Sequence, residues 1–362
     1  MCKLKFFEKA LQKKYEQKHH QQLRSALSLD MPKSNFTHFN TCDYLGLSTH
    51  PYVKQKAIEA LMRFGAGSTT NRPLCDHLTA HTDLQERFNQ LINAEQTLLF
   101  PTAVAMQNAL FGMLSALGAS LFVEHAYPAH TLKRLMNNKG SIHFFDHNHI
   151  GDLPDGPEPK VMIAPSVCPA SGRILDLRRL MSHAAGSDAL LIIDDTYSLG
   201  MLGDNGMGCA AQKKGVDVVV GSFGKVTGSF GAYMSGPSLF CDYCTLSQRI
   251  DPLNPGSLGA MNAALDLIPD MEAERAMVLA RGQDLRKSLA DAHYDVIESR
   301  SHIVGIKLQT SRDALSLSED LADERIIAMP TDLPGLVFNL SAKHTSAQMK
   351  HLQTALPAHA LV

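Results

Sequence analysis

Two apolar runs, each ending in a charged residue among small ones, constrain this chain more than anything else in it. The first is Ala189-Leu-Leu-Ile-Ile-Asp194-Asp195-Thr-Tyr197-Ser-Leu-Gly200. The second is Val216-Asp-Val-Val-Val-Gly-Ser222-Phe-Gly-Lys225. Mostly apolar runs of this kind, rich in β-branched residues, read as strands covered on both faces, which is the environment of a parallel sheet between two layers of helices. In open α/β sheets, ligands collect at the carboxyl ends of the strands. Asp194, Ser222 and Lys225 are therefore candidate site residues.

An acid at one strand end and a lysine just past another suit pyridoxal 5′-phosphate (PLP). The lysine forms a Schiff base with the aldehyde, and the acid keeps the pyridine nitrogen protonated, so that the ring accepts electrons from a substrate carbanion. Each residue alone has an ordinary structural reading. An Asp at a strand end is often a helix cap, and a Lys after Gly often sits on a surface loop. Ser222 three residues before the lysine, with glycines around it, favours the cofactor.

The chain has 362 residues, 44% apolar and 19% charged, with a formal net charge of −2. That length suits a large domain and a smaller one. The near-neutral charge gives no electrostatic footprint for nucleic acid or an acidic membrane. Residues 1–27 are basic and amphipathic, carry Glu8 and Glu16, and read as a short docking helix rather than a secretory signal. No apolar run approaches the ~18–20 residues of a membrane span. Seven scattered cysteines form no disulfide framework, so a reducing cytoplasm is expected. Cys241 and Cys244 form a lone C-x-x-C without the second pair that zinc requires. Asp146-His147-Asn148-His149 alternates across a strand, which spoils convergence on a metal.

The periodicity predicts an extended lead-in over Phe39–Leu45, helices over Tyr52–Phe64, Leu78–Ile92, Ala103–Leu117, Ala129–Asn137 and Leu177–Ala185, and a glycine turn at Gly65–Ser68. Strands are expected at Thr97–Phe100, Ser120–Glu124, Ile142–Phe145, Val161–Ala164, Ala189–Asp194 and Val216–Gly221. This alternation argues for an α/β fold with a doubly wound, mainly parallel sheet. After Pro252–Gly256 a helical stretch over Ala260–Ala290 is expected to break at Pro269. A tail follows, with strands Ile303–Leu308 and Leu336–Leu340 and helices Ala314–Asp323 and Ser346–Leu356. The expected division is 1–50 as an N-terminal helix and lead-in, 51–256 as a large PLP-binding domain, and 257–362 as a C-terminal α+β domain.

These residues resemble a known family. Asp43-Tyr-Leu-Gly-Leu-Ser-Thr-His-Pro51, the glycine-rich segment Asp194–Gly208, Gly221-Ser-Phe-Gly-Lys225, Phe145-Asp-His-Asn148 and Ser341-Ala-Lys-His-Thr345 are similar to motifs of the α-oxoamine synthases, which are fold-type I PLP-dependent transferases. The resemblance covers about residues 30–355, and its lysine and aspartate segments are the most specific parts. It implies that Lys225 holds PLP and shuttles the substrate Cα proton, that Asp194 pairs with the pyridine nitrogen, and that Ser222 binds phosphate. The backbone at Thr102-Ala103-Val104, opening a helix, would cradle the same phosphate. Tyr197 and Ser166 complete the implied cofactor set, with Tyr197 on the ring oxygen. The implied reaction is decarboxylative condensation of a small amino acid, L-alanine favoured, with an acyl thioester such as pimeloyl-CoA or pimeloyl-acyl carrier protein, as in biotin synthesis. The resemblance also implies a homodimer, with the Gly65–Thr70 loop reaching toward the neighbour's cofactor.

The chain departs from the family in several places. Tyr197 stands where the family has His, and Cys42 where it has Asn. Ser171-Gly172 replaces Asp-Gly. The ring-stacking His falls at Pro128, with Tyr127 and His130 as possible substitutes. The tail strand reads Gly335-Leu-Val-Phe-Asn339, without the Arg that clamps the amino-acid carboxylate, and Arg72 is the one substitute the sequence offers. Two alternatives therefore stay open. One is a synthase using glycine, serine or an autoinducer-type acyl partner. The other is a catalytically weakened paralogue serving as a partner subunit.

Overall fold

The computed structural model describes residues 36–67, 79–125, 127–136, 138–146, 149–151, 159–331 and 334–358. The expected helix over 1–27, residues 68–70 of the glycine-turn loop, Arg72, and His147 and Asn148 lie outside the described residues, as does the side chain of His130.

In chain order the elements are β1 (Thr37–His38), α1 (Pro51–Phe64), α2 (Thr79–Ile92), β2 (Gln96–Phe100), α3 (Ala103–Ala116), β3 (Ser120–Glu124), α4 (Ala129–Leu135) and β4 (Ile142–Phe145). They continue as β5 (Lys160–Pro165), α5 (Leu177–Gly186), β6 (Leu190–Asp194), β7 (Val218–Ser222), β8 (Ala232–Gly236), α6 (Ser238–Ser247), α7 (Pro255–Leu267) and α8 (Glu272–Asp291). The last part holds β9 (Asp295–Val296), β10 (Ile303–Lys307), α9 (Ser311–Asp323), β11 (Ile326–Ile327), β12 (Met329–Pro330), β13 (Gly335–Asn339) and α10 (Ser346–Ala358).

The main sheet has seven strands in the order β2-β8-β7-β6-β5-β3-β4. All neighbours from β7 to β4 are parallel, and β8 runs antiparallel to both β2 and β7. The sheet is thus a mainly parallel, fold-type I arrangement with one reversed strand. A four-stranded antiparallel sheet, β12-β13-β10-β9, forms the C-terminal part. β1 pairs in parallel with β11, so the lead-in segment lies against the C-terminal part rather than extending over Phe39–Leu45.

Parity along β6 explains the unbroken apolar run. Ile192 packs with Val218, Val220 and the α3 residues Met106, Leu110 and Met113. Leu191 and Ile193 pack on the opposite face with Leu180 and Ala184 of α5. Each face is covered by a helix, so every position must be apolar. The helical stretch after Pro255 breaks at Pro269 as expected, through a 3₁₀ turn at Ile268–Asp270. It begins earlier than Ala260, because Asn254 caps it by accepting from Ser257 N at 2.8 Å and Pro255 opens its first turn. β8 and α6 have no counterpart among the expected elements. In α6 both Cys241 and Cys244 turn into the core beneath α3. Among the described residues, no helix is long and apolar enough to cross a membrane.

Candidate functional site

The carboxyl ends of β2, β5, β6 and β7 lie along one edge of the main sheet. Pro165 is opposite Asp194, Asp194 is opposite Val220, and Ser222 and Phe100 both pair with Ala232. Residues at the ends of adjacent strands are about 5 Å apart, so one small ligand can touch several of them.

Side-chain parity then divides the predicted residues. Asp194 shares the face of Ile192, and Ser222 that of Val220, both toward α3. Asp195 and Ser166 point to the other face. Asp195 is fully buried and saturated there: it accepts from the Ser198 hydroxyl at 2.6 Å and from Ala210 N at 2.9 Å. The Ser166 hydroxyl joins this network at Ser198 Oγ, 2.9 Å away, while its backbone N donates to Asp194 O at 3.0 Å. Asp195 therefore pins the glycine-rich segment, and Gly208 is needed because a Cβ there, at φ +104°, would strike the Asp195 carboxylate.

Asp194 presents its carboxylate differently. Oδ1 accepts from Thr196 N at 2.9 Å, and the buried Tyr127 phenol lies near the carboxylate. Burial pushes the carboxyl up from its ordinary value, and the bond from Thr196 together with the nearby Tyr127 phenol pulls it partly back. None of the ion pairs among the described residues involves Asp194. A buried carboxylate without a cation is the partner a protonated ring nitrogen needs.

The phosphate end is equally consistent. Thr102 caps α3, its hydroxyl accepting from Ala105 N at 3.0 Å, which holds the first turn in place. The amides of Ala103 and Val104 meet no acceptor among the described residues, and they stand at the positive end of the helix dipole. Ser222 Oγ accepts from Gly224 N at 3.1 Å. The anionic phosphate and protonated ring of PLP fit this donor and acceptor set.

Lys225 follows β7 in a tight loop that packs on the segment Asp43–Ser48. Gly228, at φ +63°, lies so close to Ser48 that a Cβ would collide with its backbone. The half-buried Lys225 Nζ sits 5.3 Å from the centre of the Tyr197 ring, with the Tyr197 phenol and the Cys42 thiol near enough to act on the amine. Burial acts to lower the amine, but Tyr197 and Cys42 outweigh it and leave the amine raised. The Tyr197 phenol is raised by burial and pulled back by the Lys225 charge.

Several contacts were not legible in the sequence. Tyr127, one of two residues offered for ring stacking, is buried near Asp194. Tyr44 lies near Cys42, and the His302 ring lies 4.0 Å from that of Tyr44. Where the sequence raised the question of a carboxylate clamp, Val337 is buried in an apolar cluster with Val167 and Ile303, against Tyr197, Leu202 and Met329.

The fold and this edge define a fold-type I PLP-dependent transferase. The sequence profile of the family described as Aminotransferase class I and II matches residues 34–356, and the chain belongs to that family, on its α-oxoamine synthase branch. A Bordetella bronchiseptica protein, provisionally called 8-amino-7-oxononanoate synthase, is 31% identical over 347 residues, covering 88% of this chain and 86% of its own length. Among solved structures, serine palmitoyltransferase from S. paucimobilis, with PLP and myriocin bound, superposes with a TM-score of 0.82 at 20% identity, covering 90% of this chain and 87% of that one. The 8-amino-7-oxononanoate synthase of Francisella tularensis superposes with a TM-score of 0.79 at 21% identity, covering 90% and 98%. At those identities the structures establish the fold. The family depends on PLP.

Proposed function

We propose that this chain is an acyltransferase that condenses L-alanine with a pimeloyl thioester, on coenzyme A or acyl carrier protein, with loss of carbon dioxide, as an 8-amino-7-oxononanoate synthase of biotin synthesis. The observation that carries this reading is the shared face of Asp194, Ser222 and the α3 N-terminus, with Lys225 just beyond.

When bound, PLP supplies an electron sink for the carbanion formed at the substrate Cα. Lys225 anchors the cofactor through Nζ and then carries the Cα proton on the same atom, with Tyr197 and Cys42 holding the amine in place. Asp194 keeps a proton on the ring nitrogen, while Tyr127 and Thr196 fix the carboxylate and Ser166 holds its backbone from behind. Tyr197 would offer its hydroxyl to the ring oxygen. Ser222 and the amides of Ala103 and Val104, with Thr102 as cap, hold the phosphate. The protein acts as a cytoplasmic homodimer.

A second reading, a weakened paralogue serving as a partner subunit, draws on the apolar surroundings of Val337. The deciding assay incubates the PLP-loaded protein with L-alanine and each pimeloyl thioester, and follows the aminoketone by mass and the released carbon dioxide. Both products in stoichiometric amounts are expected. No turnover with any small amino acid, under conditions where the cofactor is bound, would leave the second reading.

A further inference from the structure

The segment Asp43–Pro51 holds none of the groups assigned to the cofactor, yet it is tied to the lysine loop on one side and to the C-terminal part on the other. The Asp43 side chain serves a single residue twice. Oδ1 accepts from Ser48 N at 3.3 Å, and Oδ2 accepts from Ser48 Oγ at 2.5 Å. The chain turns back this tightly because Gly46 takes φ +73°, with its N donating to Asp43 O at 3.2 Å. The C-terminal part braces the turn from outside. Ser341 Oγ donates to Asp43 O at 2.8 Å, Ala342 N donates to Tyr44 O at 2.7 Å, and the Lys343 side chain crosses Gly46 to reach Thr49 Oγ1. The inner side of the turn seats the lysine loop. Gly228 lies directly against the Leu47–Ser48 backbone, and Gly228 N closes the loop by donating to Lys225 O at 3.3 Å. Leu47 also shares one buried cluster with Phe223 and Val226 of that loop. Asp43 makes no ion pair among the described residues, so both of its oxygens are given over to Ser48.

We propose that Asp43 is a positioning residue for the reaction: by fixing Ser48 it fixes the surface on which the Lys225 loop rests, and with it the place of the Lys225 amine. The consequence for the reaction rests on the role given to Lys225 under Proposed function, whereas the hold on the loop rests on the geometry alone. Ser48 is exposed, so water competes for both of its donors. A carboxylate keeps them, because hydrogen bonds to a charged acceptor are stronger than neutral ones. Without that acceptor the Ser48 backbone can draw away from Gly228, and the loop loses the wall it is packed against. A displacement of about 1 Å in a reacting group can cost about a hundred-fold in rate. Since Lys225 carries the Cα proton, the loss belongs in turnover rather than in binding of the amino acid.

The test compares the full-length wild type with Asp43→Ala, Ser48→Ala and Asp43→Asn, with and without PLP. Backbone hydrogen exchange, followed by mass, reports on the loop without any reaction. In cofactor-free Asp43→Ala the peptide spanning residues 222–229 should exchange several-fold faster than in the wild type, while the β5 and β6 peptides stay unchanged. Release of bound PLP should quicken several-fold. With PLP bound, kcat for L-alanine and a pimeloyl thioester should fall by about ten- to a hundred-fold, while KM for alanine stays within about two-fold. Ser48→Ala, which keeps the backbone bond, should fall between. Asp43→Asn should restore most of each property, because the amide still offers an acceptor to Ser48 N and a partner to its hydroxyl. Wild-type exchange and release in Asp43→Ala would overturn the proposal. So would faster exchange spread through β5 and β6, which marks a general loosening, or a raised KM with kcat unchanged. Absence of turnover in the wild type would bear on the proposed substrates alone, since exchange and release still decide the role of Asp43. If the loop loosens as expected but borohydride reduction labels another lysine, the hold on the loop stands and the role of Lys225 falls.

Discussion

The Tyr127 phenol is buried close to the carboxylate of Asp194 at the end of β6, where it lowers that carboxyl's affinity for protons. A donor on the charged form lowers a carboxyl's affinity for protons. Tyr127→Phe keeps the ring and removes the donor, so the Asp194 carboxyl should rise. PLP should then be released at a higher pH than from the wild type, because a protonated Asp194 cannot hold a protonated ring nitrogen. Absorbance of retained cofactor across an acid titration measures the midpoint. An unchanged midpoint would remove Tyr127 from this role.

Asp194 and Asp195 are neighbours with separable jobs. Asp195→Asn weakens the bonds to Ser198 and Ala210 and should cost about 1–3 kcal/mol of stability, even without cofactor. Asp194→Asn removes a buried charge that has no counter-ion among the described residues and should leave the cofactor-free protein at least as stable as the wild type, yet unable to turn over substrate. Denaturant unfolding of both variants without PLP, set beside their activities, checks the division. Equal destabilisation would contradict it.

His302 links stability to pH. The ring is fully buried, and burial, reinforced by the Arg286 charge, lowers it from 6.5 to about 3. Between those values the unfolded chain binds a proton that the folded protein refuses, so stability falls as the pH drops through this window, by at most about 1.4 kcal/mol per pH unit. Above 6.5 the effect vanishes. Both ring nitrogens lack hydrogen-bond partners among the described residues, so His302→Phe should flatten the slope without a large loss at pH 8. Denaturation midpoints from pH 4 to 8 test this, and an equally steep slope in the variant would refute it.

Gly228 ties the lysine loop to the segment before α1. A side chain there meets both the positive φ and the Ser48 backbone, so Gly228→Ala should cost about 1–3 kcal/mol and displace Lys225. Weaker PLP retention together with a lowered unfolding midpoint is expected. A variant with wild-type retention would show that the loop has room to adjust.

The parts legible in the sequence share one property: their environment repeats along the chain. β6 and β7 read as buried strands because helices cover both of their faces, which forces an apolar residue at every turn of the pleat. The break at Pro269 was legible because proline removes a donor wherever it falls. β8 was not, since Ala232-Tyr-Met-Ser-Gly236 shows neither alternation nor a β-branched run, and its reversed direction depends on partners distant in sequence. Likewise α6 carries Leu239, Tyr243 and Leu246 on its exposed side, which blurs its apolar face. At the site, Asp194, Ser222 and Lys225 were marked by their strands. The proximity of Tyr127 to Asp194, of Cys42 to Lys225, and of Tyr44 to His302 joins residues far apart in the chain, and no local pattern records it.

The central claim is that Lys225 carries the cofactor. Borohydride reduction of the PLP-loaded protein, followed by peptide mapping, tests it directly. The account expects a pyridoxyl group on the peptide containing Gly221-Ser-Phe-Gly-Lys225, and no labelling in Lys225→Ala. A label on another lysine, or none in a protein that still turns over alanine, would contradict it.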